Sequence, residues 1–553
     1  MPLSAKRESV LDSLGFHQNS RSLPWAVPAS AECLSMRLKT DDSYFKHGIR
    51  ESAHKVIAEP VSNQRRQPMR KLKVCQIVAS AEGGRWLVEQ LRDLRDIYGC
   101  EVMAVVGGET GGLIDNLRAN NIPYHAEDFI FWSLRSILRL PFTILRQARL
   151  FRRERVDVVQ SHLFFSMVIT RFAGWLADVP VRLSMYASPF HLQAPLSFWV
   201  DRATCWMDSM LIPTCQLNVD LCREMGVKDE KMALVYYGPD ERRFDPEKFE
   251  PARIRAEYGW PSDTPLVGQV AFFYEKLPKS RWVPECMHER GCKGFDDLVR
   301  AAPHILDEIP NAKILLIGSG WGEPGIEHME EVKEIVRSLG LENSVIFTGY
   351  RADANQVLKA LDVAVQSSLV ECAGGTIEAL LMECPTVVTR VGGMVDTVRD
   401  GETGILVEPS NPRDLARGIV QMLRNGEQGR AMGRAGRQLM LDRFTLRSTV
   451  KNLYEVCSRL REQRGPGYNP LLSLWRMIVA IPVFAYIASR YLLMELFVPI
   501  YWPIYVARLK YFPHRIYYRI RHPAYLLLRP FWGVMPERSR VMIKQSLRRS
   551  DSD

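Results

Sequence analysis

The residues with the clearest chemical potential lie in Ser367-Ser368-Leu369-Val370-Glu371-Cys372-Ala373-Gly374-Gly375-Thr376-Ile377-Glu378. The order is that of a strand, a glycine-bearing turn and a helix opening near Gly375. Free backbone N–H groups and the positive end of the helix dipole make such a start a seat for an anion. Gly374 and Gly375 let a phosphate approach the backbone, and Glu378, expected in the first turn, has a carboxylate able to accept ribose hydroxyls. The same pattern also suits a plain strand-to-helix turn with a capping glutamate. Eleven cysteines run from Cys33 to Cys457 without a Cys-x-x-Cys pair. Cys286, His288 and Cys292 lack the second ligand pair of a zinc site, so no metal is expected there.

Elements able to position these groups can be read on either side. Apolar runs at 71–79, 100–108, 156–162, 180–187 and 208–214 alternate with amphipathic stretches. A second set follows at 264–273, 312–320, 344–349, 361–368 and 385–393, with a helical stretch at 328–340 between two of them. Alternating βα units imply parallel sheets covered by helices. The expected fold class is α/β, with two doubly wound Rossmann-like domains facing a cleft and ligands at the carboxyl ends of the strands. The expected boundaries are an irregular extension over 1–69, an N-terminal domain over 70–245, a linker over 246–262, a C-terminal domain over 263–445, a closing helix over 446–464 and a tail over 465–553.

Several motifs in this order resemble the family 4 glycosyltransferases, retaining enzymes of the GT-B fold that use nucleotide-diphosphate sugars. Glu371…Gly374-Gly375…Glu378-Ala379 is followed by Pro385-Thr386-Val387-Val388-Thr389, Val391-Gly392-Gly393 and Asp400-Gly401-Glu402-Thr403-Gly404. Gly83-Gly84 resembles the acceptor-side glycine loop, Tyr236–Asp240 with Arg243-Phe244 and Asp245-Pro246 the Asn-Gly-Val-Asp…Arg-Phe-x-Pro segment, and Lys293-Gly294-Phe295 the Lys-Gly-Phe element. The resemblance covers about 71–464 and implies donor binding by Gly374, Gly375, Thr376, Glu378, Gly318, Gly349 and Tyr350. It implies catalytic roles for Lys293, Glu371 and His162, the last facing the donor sugar or the acceptor, and an acceptor side built from Gly83, Gly84 and His191.

Three departures stand out. Only six residues separate Glu371 from Glu378 where the family usually has seven, and Asp396 stands where it usually has Glu. The family's arginine before the Lys-Gly element has no counterpart at Gln269, so a cation is sought in the loop 274–291. Of Lys276, Lys279, Arg281 and Arg290, Arg281 is the first choice. The resemblance implies front-face transfer with retention, with no cofactor and no metal.

The charge of the chain is unevenly placed. The 553 residues carry +10, of which +4 lies in 1–70 and +9 in 465–553, leaving −3 for 71–464. A nucleic-acid groove across the body is thereby disfavoured. The tail holds sixteen aromatic residues interleaved with arginine. Its longest uncharged run, Met477–Ser489, has 13 residues, short of the roughly 18–20 needed to span a bilayer. Such a composition suits an interfacial anchor on anionic lipid. Without an apolar leader at the N-terminus, the expected location is cytoplasmic, peripheral at the inner face of the membrane. The expected partners are a nucleotide sugar, a lipid-linked saccharide acceptor and the membrane surface. A catalytically silent scaffold of the same fold is the alternative, and a sugar-nucleotide epimerase fits the motifs less well.

Overall fold

Strands buried on both faces need nearly continuous apolar sequence, and the computed structural model shows this in its first strand, KVCQIV. That strand, β1 (Lys73–Val78), is buried at every residue except Lys73. The structure describes residues 71–129 and 134–464, together with four tail positions, Trp475, Ile478, Pro482 and Ala485. The extension 1–69 and most of the tail 465–553 lie outside the described residues.

The N-terminal sheet continues with β2 (Glu101–Val106), β3 (Tyr124–Ala126), β4 (Val158–His162), β5 (Val181–Tyr186) and β6 (Met210–Pro213). The C-terminal sheet holds β7 (Leu266–Val270), β8 (Lys313–Ile317), β9 (Val345–Gly349), β10 (Val363–Gln366), β11 (Thr386–Thr389) and β12 (Ile405–Val407). Their orders are β3-β2-β1-β4-β5-β6 and β12-β11-β10-β7-β8-β9, the same doubly wound pattern written in opposite directions, and every pairing is parallel. In each sheet the winding reverses beside the first strand, between β1 and β4 and between β7 and β10. Ligand crevices form at that reversal. The two sheets expected from the sequence are therefore present, and this is a GT-B architecture.

Two strands escaped the reading by apolar runs. β3 and β12 have three residues each, too short for a period to register. The segment 246–262 is not a free linker. Ile254, with Phe249, Tyr258 and Trp260 around it, packs into the same core as β7, β10 and the helix Gly374–Leu381, because apolar side chains at this density gain more from burial than from solvent.

The helix Leu446–Arg464 returns to the N-terminal half. Leu446, Val450 and Leu453 enter the core of β1 and β2, Tyr454 stacks on Tyr98 at 4.2 Å, and Arg461 pairs with Asp157 at 3.1 Å. Where the chain crosses between the halves, the Leu446 N–H donates to the Pro239 carbonyl at 2.9 Å and the Thr449 hydroxyl donates to the Tyr236 carbonyl at 2.7 Å. Among the described residues no helix is long and apolar enough to cross a membrane.

Candidate active site

At the reversal in the C-terminal sheet, β10 runs into Ser367 and Ser368, and β7 lies beside it. The Gln269 amide joins them: it donates to the Lys293 carbonyl at 2.7 Å and accepts from the Ser367 hydroxyl at 2.8 Å. Lys293 is followed by Gly294, whose φ of +64° starts the helix Phe295–Glu308. A side chain at Gly294 would strike the Ser367 carbonyl. The glycine therefore lets the Lys-Gly-Phe element sit directly on the end of β10. Gly392 has the same duty, since a Cβ there would collide with the Glu371 carbonyl.

These close approaches bring Lys293 and Glu371 into a direct ion pair, their side chains only 20% and 12% exposed. Glu371 also accepts from the Cys372 N–H at 2.9 Å and from the Ser368 hydroxyl at 3.4 Å. Burial works against both charges, yet the pair outweighs it. Lys293 is raised above its ordinary range and Glu371 is held below its own. Both groups are ionised at neutral pH.

The helix Gly374–Leu381 begins behind this pair with no side-chain cap and no acidic residue in its first turn. Glu378 is its fifth residue, one position past the first turn, so the capping-glutamate form of this turn is not the one present. Its N-cap, Ala373, has φ +132°, a strained value for a residue with a Cβ. The Thr376 hydroxyl is buried without a partner. Uncapped N–H groups and an unpaired hydroxyl beside a lysine form a site for an anion.

Glu378 is half-buried, and burial raises its pKa against the lowering effect of Arg243. Arg243 reaches the N-terminal half, where its guanidinium meets Glu89 at 3.4 Å. Its carbonyl is held by Asn355 at 2.7 Å. Arg85 contributes to the field at both Glu89 and Glu378. The sequence reading had sought a missing cation in the loop 274–291. There Lys276 pairs with Glu331, Lys279 with Glu289, and Arg290 with Asp297. Arg281 is half-buried, and its carbonyl accepts the Leu196 N–H at 3.0 Å, linking the loop to the N-terminal half. Lys293 pairs with Glu371, and Arg243, Arg85 and Lys293 all lower the pKa of Glu378. Arg243 belongs to the Arg243-Phe244 motif, whereas no motif includes Arg85, which opens the helix Arg85–Asp96.

Gly318 and Gly349 meet at the ends of β8 and β9, the Gly318 N–H donating to the Gly349 carbonyl at 3.0 Å. Tyr350 is 67% exposed and lies 6.4 Å from Phe272, ring centre to ring centre. Phe272 meets Trp321 edge-on at 5.0 Å. Trp321 in turn lies 3.3 Å from where a side chain at Gly83 would begin, so it faces the Gly83-Gly84 turn across the cleft. Neither Phe272 nor Trp321 was singled out by the motifs.

On the N-terminal side, β4 ends at His162. Its Nδ1 is 2.5 Å from the Tyr237 hydroxyl, Trp86 lies 4.6 Å from its ring centre, and its Nε2 is buried without a partner. Burial pushes the imidazole down to about 3, so the ring is neutral at physiological pH. His191 stands in a different environment. Its Nε2 is 3.2 Å from Asp201, and its ring stacks on Tyr186. Asp201 belongs to a buried network with Arg171 and Asp208, which ties His191 to the core of its own half.

Two further contacts cross between the halves. The Thr214 hydroxyl is 3.0 Å from the Cys372 sulfur, and the Gln216 N–H donates to Asp396 at 2.6 Å. Burial raises the Asp396 carboxyl to about 6 despite that hydrogen bond. His288 directs its Nε2 to the Ser280 and Val283 carbonyls, and among the described residues no group of three or more His, Cys, Asp or Glu is placed to hold a metal.

Known proteins resemble both halves. Residues 84–238 match the family described as glycosyl transferase 4-like domain, and 286–425 match glycosyl transferases group 1. The GDP-mannose-dependent alpha-(1-6)-phosphatidylinositol monomannoside mannosyltransferase of Mycolicibacterium smegmatis is 30% identical over 237 residues, 41% of this chain and 56% of that protein. The chain thus spans little more than half the length of that relative. EpsD of Bacillus subtilis, a glycosyltransferase by name, is 29% identical over 65% of this chain and 89% of its own. Anabaena HepE, crystallised with UDP and glucose, shares the fold with a TM-score of 0.57 at 19% identity, over 70% of this chain and 99% of its own.

Proposed function

For a chain that belongs to the group 1 and 4-like glycosyltransferases, we propose transfer of a hexose, with retention, from a nucleotide-diphosphate sugar to a lipid-linked saccharide in surface or exopolysaccharide assembly. One observation carries this reading: the helix that opens uncapped at Gly374, with an unpartnered Thr376 hydroxyl in its first turn, begins three residues after Glu371, the partner of Lys293. As the glycosidic bond breaks, negative charge grows on the leaving diphosphate. The amides of 374–376, the Thr376 hydroxyl and Lys293 receive that charge without reorganising. Glu378, near Arg243 and Arg85, takes the ribose hydroxyls, and Phe272, Trp321 and Tyr350 border the base.

Neutral His162 offers Nε2 as a hydrogen-bond partner to the donor sugar or the acceptor, while Tyr237 fixes its ring. Because these cations serve the leaving group, activity is expected to persist in EDTA. The tail supplies a hold on the cytoplasmic face of the membrane. Its described positions Trp475, Ile478, Pro482 and Ala485 are helical and exposed. The lipid-linked acceptor has support in the phosphatidylinositol mannoside named for the mycobacterial relative.

Thermal shift with a panel of UDP-, GDP- and other nucleotide sugars tests the reading, since a ligand that binds the folded state raises the melting temperature. One nucleotide sugar should stabilise the protein and Lys293→Ala should abolish that shift; a panel without any shift overturns the proposal. A catalytically silent scaffold is the second reading, favoured by the six-residue spacing of Glu371 and Glu378 and by Gln269 where the family has arginine. Donor hydrolysis or transfer that is lost in Glu378→Ala excludes it.

A further inference from the structure

The helix Leu134–Arg153 has six arginines and no acidic residue among its twenty, in a body whose net charge is −3. Ile144, Ala148 and Phe151 face inward, in one core with Phe172 and Trp175. Arg139, Phe142, Arg146, Arg149 and Arg153 are all exposed. Their spacings of three and four residues place them in a single line along the helix. Phe142, 69% exposed, is the most exposed large apolar side chain among the described residues. Glu127 pairs with Arg146 and Glu154 with Arg153. Arg139 and Arg149 have no carboxylate partner among the described residues.

We propose that this line of side chains is a docking surface for an anionic lipid bilayer, on the acceptor half itself and separate from the tail. From Arg139 to Arg153 the line runs about 21 Å at roughly 1.5 Å per residue, most of it on the C-terminal side of Pro141. Guanidinium groups pair with lipid phosphates, and Phe142 enters the boundary between headgroups and acyl chains. A solvated helix gains nothing from a phenylalanine at the centre of its charged face, whereas an interfacial helix does. Since this helix leads into β4 and so to His162, docking sets the orientation of the acceptor half relative to the bilayer. The inference does not depend on which acceptor is used.

The test replaces Phe142 by a photoreactive benzoylphenylalanine in the full chain, with Leu339 in the other half as the control position. Irradiation with vesicles of phosphatidylcholine and phosphatidylglycerol should give a lipid adduct at 142, none at 339, and none with phosphatidylcholine alone. Arg139→Gln with Arg149→Gln should weaken partition to the mixed vesicles by about 25-fold, at roughly fivefold per arginine. The corresponding lysine pair should retain it, and Phe142→Ser should weaken it further. Donor hydrolysis in solution should be unchanged in all of them, which also shows that the variants fold. Flotation with the vesicles but no adduct at 142 and no loss in the double variant would assign binding to the tail and overturn the inference. So would equal binding to neutral vesicles, or loss of RNA binding in place of vesicle binding.

Discussion

At the reversal in strand order the N-terminal sheet presents His162, Trp86 and Tyr237, while the C-terminal sheet, wound in the same order, presents Lys293, Glu371 and a glycine-led helix. The first group is uncharged at neutral pH and aromatic. The second is ionic and rich in free N–H donors. Equivalent positions of one architecture have thus been given opposite electrostatic characters, and the difference matches the two partners of a sugar transfer. A leaving diphosphate gathers negative charge and needs fixed positive groups. A sugar or acceptor hydroxyl is neutral and needs orientation.

The comparison is most severely tested by Lys293→Ala. It should lower transfer by about 10²–10³-fold, the usual result of removing one charge-stabilising donor. Leaving Glu371 buried and alone should also cost about 3–5 kcal/mol in stability, so urea unfolding must accompany the rate measurement. Gly392→Ala comes next. The added methyl must displace the Glu371 backbone, and nucleotide-sugar binding, followed by thermal shift, should weaken by at least tenfold. Binding of an acceptor to the N-terminal half should be untouched.

Tyr237→Phe should have a smaller effect on the other side, about 1 kcal/mol for one hydrogen bond, seen in transfer but not in donor binding. The pH profile of transfer should show no histidine titration between pH 5 and 8, because His162 stays neutral down to about 3. A break near 6.5 that disappears in His162→Asn would contradict the uncharged character assigned to this half.

A last effect, on stability and not on transfer, concerns the contact between the halves. Asp396 titrates near 6 in the folded protein and near 3.9 when unfolded. Its folded form therefore binds a proton first, and stability should rise as pH falls from about 7 to 4. The gain should be on the order of 1–2 kcal/mol, and Asp396→Asn should remove this part of the pH dependence in urea titrations.

The glycines were the most legible part of the site, because Gly294 and Gly392 meet backbone carbonyls where no side chain fits, and that demand leaves a fixed mark in sequence. Ten of the strands announced themselves as apolar runs for a similar reason, since burial on both faces forbids polar alternation. What escaped depended on distance along the chain. Arg85 acts on Glu378 only after the halves come together, Arg243 meets Glu89 of the other half, and Trp321 faces Gly83 across the cleft. The ion pair of Lys293 and Glu371 joins two residues that the motifs both mark as catalytic but that lie 78 positions apart. The interdomain segment 246–262 looked like a linker through its Pro, Glu and Arg content, while Ile254 and its neighbours were placing it in a core.

The two passages of backbone between the halves lie side by side, joined by the Leu446–Pro239 and Thr449–Tyr236 hydrogen bonds. Mechanically this is a door on two adjacent pins. A single tether would let one half twist and slide against the other, whereas two bonded segments define an axis and leave one easy rotation about it. Glu89, Thr214 and Gln216 would then part from Arg243, Cys372 and Asp396 in a fixed sequence, those farthest from the axis travelling the longest arc.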